Sequence, residues 1–161
     1  MQWGDEFFET LRRSYKPTKI LTLFVGESRP ANGTFFYLGD SGLFKYMREA
    51  FRGGDNFLCD FRHAGFFLDD LVTSPVNKQT KPQRRKRQRD SVDDLASRIR
   101  EHSPVHVVIV GRGIEEQVAA ALDQAEMTGV PRDVVSFPAN GQQQNFLREM
   151  QELIPRLPRL L

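Results

Sequence analysis

One short stretch gathers side chains that can do chemistry together: Val25-Gly26-Glu27-Ser28-Arg29-Pro30-Ala31-Asn32-Gly33-Thr34-Phe35-Phe36-Tyr37. A carboxylate, Glu27, follows directly on an apolar run, and three consecutive aromatics come after it. This pairing suits a flat, uncharged ring such as a nucleobase. The ring stacks on an aromatic face while the acid orients a water or opposes developing positive charge. Gly26 permits close backbone approach, and Gly33 lets the loop fold back. The same residues also read as a loop acid satisfied by its neighbours, with the aromatics in the core, and both readings stand at this level.

The second concentration is electrostatic. Residues 78–89 carry Lys78, Lys81, Arg84, Arg85, Lys86, Arg87 and Arg89, seven cations with no acid. The whole chain has 23 Lys and Arg against 21 Asp and Glu, so the remainder holds 16 basic and 21 acidic residues, a net −5. The net +2 therefore hides one basic segment on an acidic body. Such a segment contacts nucleic-acid phosphates without sequence preference, or it is simply solvated. Pro82 and the Gln-rich composition predict a mobile loop there.

The elements that must position these groups follow from periodicity. Helices are predicted at 5–14 (Asp5 as N-cap), from Ser41 to Gly53, weakly at 56–63, from Ser91 through Ile99, at 114–128 and at 142–154. Strands are predicted at 19–25, 66–72, 105–110 and 133–137. Strands alternating with helices mean βαβ units and a parallel sheet with helices on both faces. Ligands bind beyond the carboxyl ends of such strands. Segments 26–37, 70–77, 111–114 and 137–143 should meet there.

Gly26-Glu27-Ser28-Arg29-Pro30 followed by Gly33-Thr34-Phe35-Phe36 resembles the first motif of the uracil-DNA glycosylase superfamily. There a strand ends in a Gly-and-acid loop containing a Pro. A later Gly then precedes, by three residues, a Phe that stacks on the flipped base. The resemblance runs over residues 19–154. It implies a three-layer α/β/α sandwich with a four-stranded parallel sheet, formed by a single domain over 1–161 with a tail at 155–161. It also implies a DNA-base N-glycosidase of the repair type that binds a flipped nucleobase. Phe36 would stack on the base and Glu27 would set the water. Backbone N–H groups from Gly26 to Ser28 would take part of the negative charge on the base.

Two positions depart from the family's pattern. Asp70 (or Asp69, if the register slips by one) stands where the family places an Asn. An ionised acid accepts hydrogen bonds but cannot donate them. In the last loop, Phe137-Pro138-Ala139-Asn140-Gly141, Phe137 stands where a His often begins the motif, and it cannot donate to the leaving base. Asn140 is the polar side chain in that loop. These departures favour the alternative, a non-catalytic nucleic-acid- or partner-binding module on the same fold. DNA or another nucleic acid is the expected partner in either case. No cofactor or metal is implied.

Weaker motifs add little. Gly39-Asp40-Ser41 and Asp60-x-x-His63 echo hydrolase spacings but sit away from the positions such chemistry needs, and Ser41 is better explained as a helix cap. Gly111-Arg112-Gly113 is a tight turn that brings Arg112 near a phosphate. His63, His102 and His106 lack metal-ligand spacing. Gln142-Gln143-Gln144-Asn145 opens a helix and reads mainly as a solvated first turn.

Composition bounds the rest. With 161 residues, 39% hydrophobic and 27% charged, the chain is expected to fold as one globular domain. No apolar run approaches the ~20 residues of a membrane span. Met1–Glu6 lacks a leader's basic-then-apolar layout, so a cytoplasmic location is expected. One cysteine, Cys59, excludes an internal disulfide, and also a multi-thiolate zinc site or iron–sulfur cluster built from this chain.

Overall fold

The computed structural model describes residues 3–160. Met1 and Gln2 of the Met1–Glu6 stretch, and Leu161 of the 155–161 tail, lie outside the described residues. Four strands form one all-parallel sheet: β1 (Thr22–Gly26), β2 (Phe66–Asp70), β3 (His106–Val110) and β4 (Arg132–Val135), in the order β2-β1-β3-β4. Among the described residues seven α-helices accompany it: α1 (Asp5–Ser14), α2 (Gly42–Phe51), α3 (Phe57–His63), α4 (Lys81–Asp90), α5 (Val92–His102), α6 (Glu115–Gln124) and α7 (Gln143–Leu153). Among the described residues no helix is long and apolar enough to cross a membrane.

The sheet follows from the apolar runs. β1 is buried at all five positions, as an interior strand between two neighbours must be. Register pairs Gly26 with Asp70 at the carboxyl end. Strand order reverses between β1 and β3, so the crevice for a ligand opens between their carboxyl ends.

Caps fix several helix ends. Ser41 Oγ accepts the N–H of Phe44 at 3.1 Å and starts α2. Several expectations differ in detail: β1 begins at Thr22 and not at Lys19, β2 ends at Asp70 and not at Val72, and β4 ends at Val135 and not at Phe137. Gly4, not Asp5, is the N-cap of α1, and Asp5 instead pairs with Arg29. Helix α6 stops at Gln124, four residues short of the expected end, and Glu126 takes a left-handed conformation (φ 60°). The C-terminal stretch is tied down, with Thr22 Oγ1 donating to Pro158 O and Leu160 N to Ala64 O.

The basic segment is the main correction: residues 81–90 form helix α4 and not a loop. Thr80 Oγ1 accepts from Gln83 N at 3.3 Å, and Gln83 Oε1 accepts from Thr80 N at 3.0 Å, a reciprocal capping box. Pro82 falls in the first turn, where its missing N–H costs nothing. The proline that read as a breaker is a helix start.

A phenylalanine-rich core lies under α2, α3 and the first two strands. Phe24, Phe36, Phe44, Phe51, Phe57, Phe61 and Phe66 meet at ring separations of 5.4 to 6.3 Å. Such pairs add about 0.5–1.5 kcal/mol each beyond area burial.

A polar network is buried at the end of β2. Arg12 donates to Leu68 O at 3.0 Å and to Asp70 Oδ2 at 2.8 Å. Asp69 forms an ion pair with Arg98 at 2.7 Å and lies 3.0 Å from His102 Nε2. Arg98 also donates to the carbonyls of Asp70 and Leu71. The Tyr37 hydroxyl receives Leu68 N–H at 2.7 Å and donates to Leu68 O, so the outer edge of β2 is covered by side chains. Burial alone pushes the Asp69 carboxyl up. The His102 hydrogen bond and the guanidinium groups of Arg98 and Arg12 outweigh it and hold Asp69 well below the usual carboxylate range. For Asp70 burial wins over Arg12, and its carboxyl is pushed up.

The two acids therefore act on stability with opposite signs. Asp69, lowered in the folded state, contributes stability at neutral pH that is lost as pH falls below about 4. Asp70, raised, carries a cost at neutral pH that acid relieves. Asp69→Asn should lose about 1–3 kcal/mol at pH 7, because Arg98 and His102 lose their carboxylate partner, while Arg12 keeps Asp70 and Arg98 keeps Asp94. Urea unfolding should show that loss shrinking below about pH 4. A loss independent of pH would remove the Asp69 charge from this account.

Candidate functional site

The sheet's carboxyl edge carries two adjoining cavities. The smaller, about 160 Å³, is lined by Gly26, Glu27, Ser28, Phe36, Asp70 and Phe137, together with Arg29, Phe35 and Leu43. An apolar cavity of about 150 Å³ takes one benzene ring, so this space matches a single six-membered ring. The larger, about 710 Å³, is lined by Glu27, Ser28, Arg84, Gln88, Arg112 and Asn140, among others. Glu27, Ser28 and Phe137 border both.

Each wall is held from outside. Gly26 leaves room for its register partner: an added Cβ would stand 2.7 Å from Asp70 Oδ1, so the carboxylate would have to shift. The ladder continues past the strand, with Leu71 N donating to Gly26 O and Val72 N to Glu27 O, both at 2.8 Å. Arg29 points inward and staples the loop. It pairs with Asp5, donates to Thr73 O at 2.9 Å and stacks over the Phe8 ring at 4.3 Å. Ser28 Oγ accepts from Val76 N at 3.3 Å. Asp40 accepts the Phe35 N–H at 2.8 Å and folds the aromatic turn back.

Phe36 begins a short 3-10 turn and is only 3% exposed. Phe44, Phe61 and Tyr37 contact its ring at 5.0 to 5.8 Å. It is thus both a core residue and a wall of the small cavity, so the two readings of the aromatic run are compatible. Phe137 is 42% exposed at the lip shared by the two cavities. Asn140, in a left-handed conformation (φ 54°), lines only the larger one.

Glu27 is gripped by α4. Arg84 bonds both carboxylate oxygens, through Nη2 to Oε1 and through Nε to Oε2 at 3.2 Å. Gln88 Nε2 donates to Oε2 at 2.6 Å. These three donors leave one of the carboxylate's roughly four lone-pair sites open, enough to accept a water or a ligand N–H. At the floor, Asp70 Oδ2 is taken by Arg12 while Oδ1 faces Gly26.

The structure therefore brings Gly26, Glu27, Ser28, Phe36, Asp70 and Phe137 to one cavity, with Asn140, Arg84 and Arg112 in its neighbour. It leaves Lys81, Arg85, Lys86, Arg87 and Arg89 outside both. Lys86 pairs with Asp90, Arg87 with Ser74, and Arg112 with Glu149. Gln88, Arg12 and Arg29 were not singled out from the sequence. Gln88 stands four residues after Arg84, so helical spacing would have put the two on one face once the segment was read as a helix. Arg12 and Arg29 carry no local signal, because their partners lie 58 and 24 residues away. Among the described residues no group of three or more His, Cys, Asp or Glu is placed to hold a metal ion. No family model matches the chain, and no curated protein matches it.

Gly26→Ala should cost about 1–3 kcal/mol by pushing Asp70 off Arg12. In an Asp70→Ala background the same change should cost far less, a coupling of about 0.5–3 kcal/mol in a denaturation cycle. Additive costs would mean that the methyl meets something other than Asp70.

Proposed function

We propose that the small cavity receives a nucleobase and that the protein is a DNA-base N-glycosidase of the uracil-DNA glycosylase type, with a three-layer α/β/α sandwich. One observation carries the reading. A ring-sized cavity collects Glu27, Phe36 and Asp70 from separate parts of the chain at the switch point of a parallel sheet. The strand order and the packing of α2 on α7 and of α5 on α6 fit such a sandwich.

In this reading a nucleotide leaves the stack and its base enters the small cavity. Phe36 supports the ring, and backbone N–H groups around Gly26 to Ser28 face its edge. The C1′–N bond breaks with its electron pair leaving on the base. Glu27, at the border of the two cavities, orients a water toward C1′ and receives its proton as the new C–O bond forms. The grip of Arg84 and Gln88 removes Glu27's rotational freedom, so the carboxylate is aimed before the substrate arrives. The larger cavity, with Asn140 on its wall and Arg84 and Arg112 held there by Glu27 and Glu149, leaves room for the sugar and its flanking backbone.

A second reading keeps the binding and drops the chemistry. Three of Glu27's acceptor sites are already engaged by Arg84 and Gln88, and Phe137 offers no donor to a leaving base. On this account the cleft binds a base without cleaving its bond.

Single- and double-stranded oligonucleotides carrying uracil, hypoxanthine or xanthine separate the readings when assayed for abasic sites. Catalysis predicts base release that falls about 10²- to 10⁴-fold in Glu27→Gln. Binding without release on every substrate would leave only the non-catalytic module.

A further inference from the structure

Helix α4 carries six cations and, Pro82 apart, no apolar side chain, and its faces have different work. Arg84 and Gln88 point into the cleft and hold Glu27, and Arg87 bonds Ser74. Lys86 pairs with Asp90 along the helix. Lys81, Arg85 and Arg89 are exposed and form no ion pair with any described residue. They recur every four residues, so they make one stripe on the outer face with a repeat of about 6 Å.

We propose that this stripe is a docking surface for the sugar–phosphate backbone of a single-stranded nucleic acid, laid beside the cleft mouth. Charge complementarity argues first for a polyanion. A row of unpaired guanidinium and ammonium groups on a helix with almost no internal acid repels itself, and phosphates relieve that repulsion. The regular repeat argues for a polymer with evenly spaced charge over an isolated anion. The rest of the chain argues for one strand and not two. Outside residues 78–89 the protein is net −5, and the cation across the cleft, Arg112, is already taken by Glu149. The second backbone of a duplex would meet an acidic body with no matching row.

The choice of nucleic acid over other polyanions rests on the nucleobase reading of the cleft, while the phosphate contacts do not. The two faces of α4 also bear on one another. Arg84 on the inner face grips the acid at the cleft's border, so a strand on the outer face approaches the side chain that the proposed chemistry uses. A base from that strand reaches the cleft without first being pulled from a duplex.

Fluorescence anisotropy of the full chain with a labelled oligothymidylate tests the surface. Three phosphate contacts on a single strand give a log–log salt slope of about −2, so affinity should fall roughly 20-fold for a fourfold rise in salt. Lys81→Gln/Arg85→Gln/Arg89→Gln should abolish most of that slope, with helix content by circular dichroism unchanged because all three side chains are exposed. The matching duplex should bind no more tightly than the single strand. An unchanged affinity and slope in the triple variant overturns the proposal, and so does tighter binding of the duplex. A strand of the same length built from abasic sites keeps the two ideas apart. If it matches oligothymidylate in affinity while the slope persists in wild type and is lost in the triple variant, the docking surface stands and the nucleobase reading of the cleft fails.

Discussion

The guanidinium of Arg12 ties the first helix to the end of β2. From α1 it reaches the carbonyl of Leu68 and the carboxylate of Asp70. It thereby fixes the first helix against the edge strand and sets the floor of the small cavity in one step. Asp70 in turn favours glycine at its register partner, Gly26, because a Cβ there would stand 2.7 Å from Asp70 Oδ1 and push the carboxylate off its place. A buried ion pair of this kind is not a large net source of stability, since taking two charges out of water offsets most of their attraction. Its effect is geometric. Any arrangement that moves α1 away leaves an uncompensated buried charge costing about 3–5 kcal/mol.

Much of the fold was legible because parallel strands buried on both faces leave long apolar runs. His106–Val110 and Phe66–Asp70 announce themselves, as do the Ser41 cap and the apolar face of α2. The clustering of Gly26, Glu27, Phe36 and Asp70 was legible too, since strand ends in such a sheet must converge. Helix α4 was not. It has no apolar stripe, so the strongest periodic signal is missing, and its proline mimics a break. Its order comes from a cap and from polar bonds to Glu27 and Ser74, and the bond to Glu27 spans 57 residues of sequence. Long-range polar contacts of this kind leave no local pattern.

Glu27 shows why a static constellation supports two accounts. A carboxylate held by an arginine and an amide is rigid and aimed, which favours catalysis through preorganisation. The same bonds occupy most of its acceptor capacity, which favours a structural role. The deciding quantity is what the remaining lone pair does when a ring fills the adjoining cavity. The aromatic wall presents no such conflict. Phe36 belongs to the core and to the cavity together, so its position is fixed by the folding energy of its neighbours.

The covered flank of β2 has a bearing on the company this protein keeps. A hydroxyl from Tyr37 answers both the amide and the carbonyl of Leu68, and Arg98 takes the next outward carbonyl, at Asp70. An incoming extended peptide would find these groups already engaged, so strand addition by a second molecule is blocked on that side. The opposite border, β4, is only four residues long and opens with Arg132 and Asp133, a short charged margin of the sort that discourages pairing. With both margins of the sheet guarded, the molecule resists growing into ribbons or aggregates through its backbone.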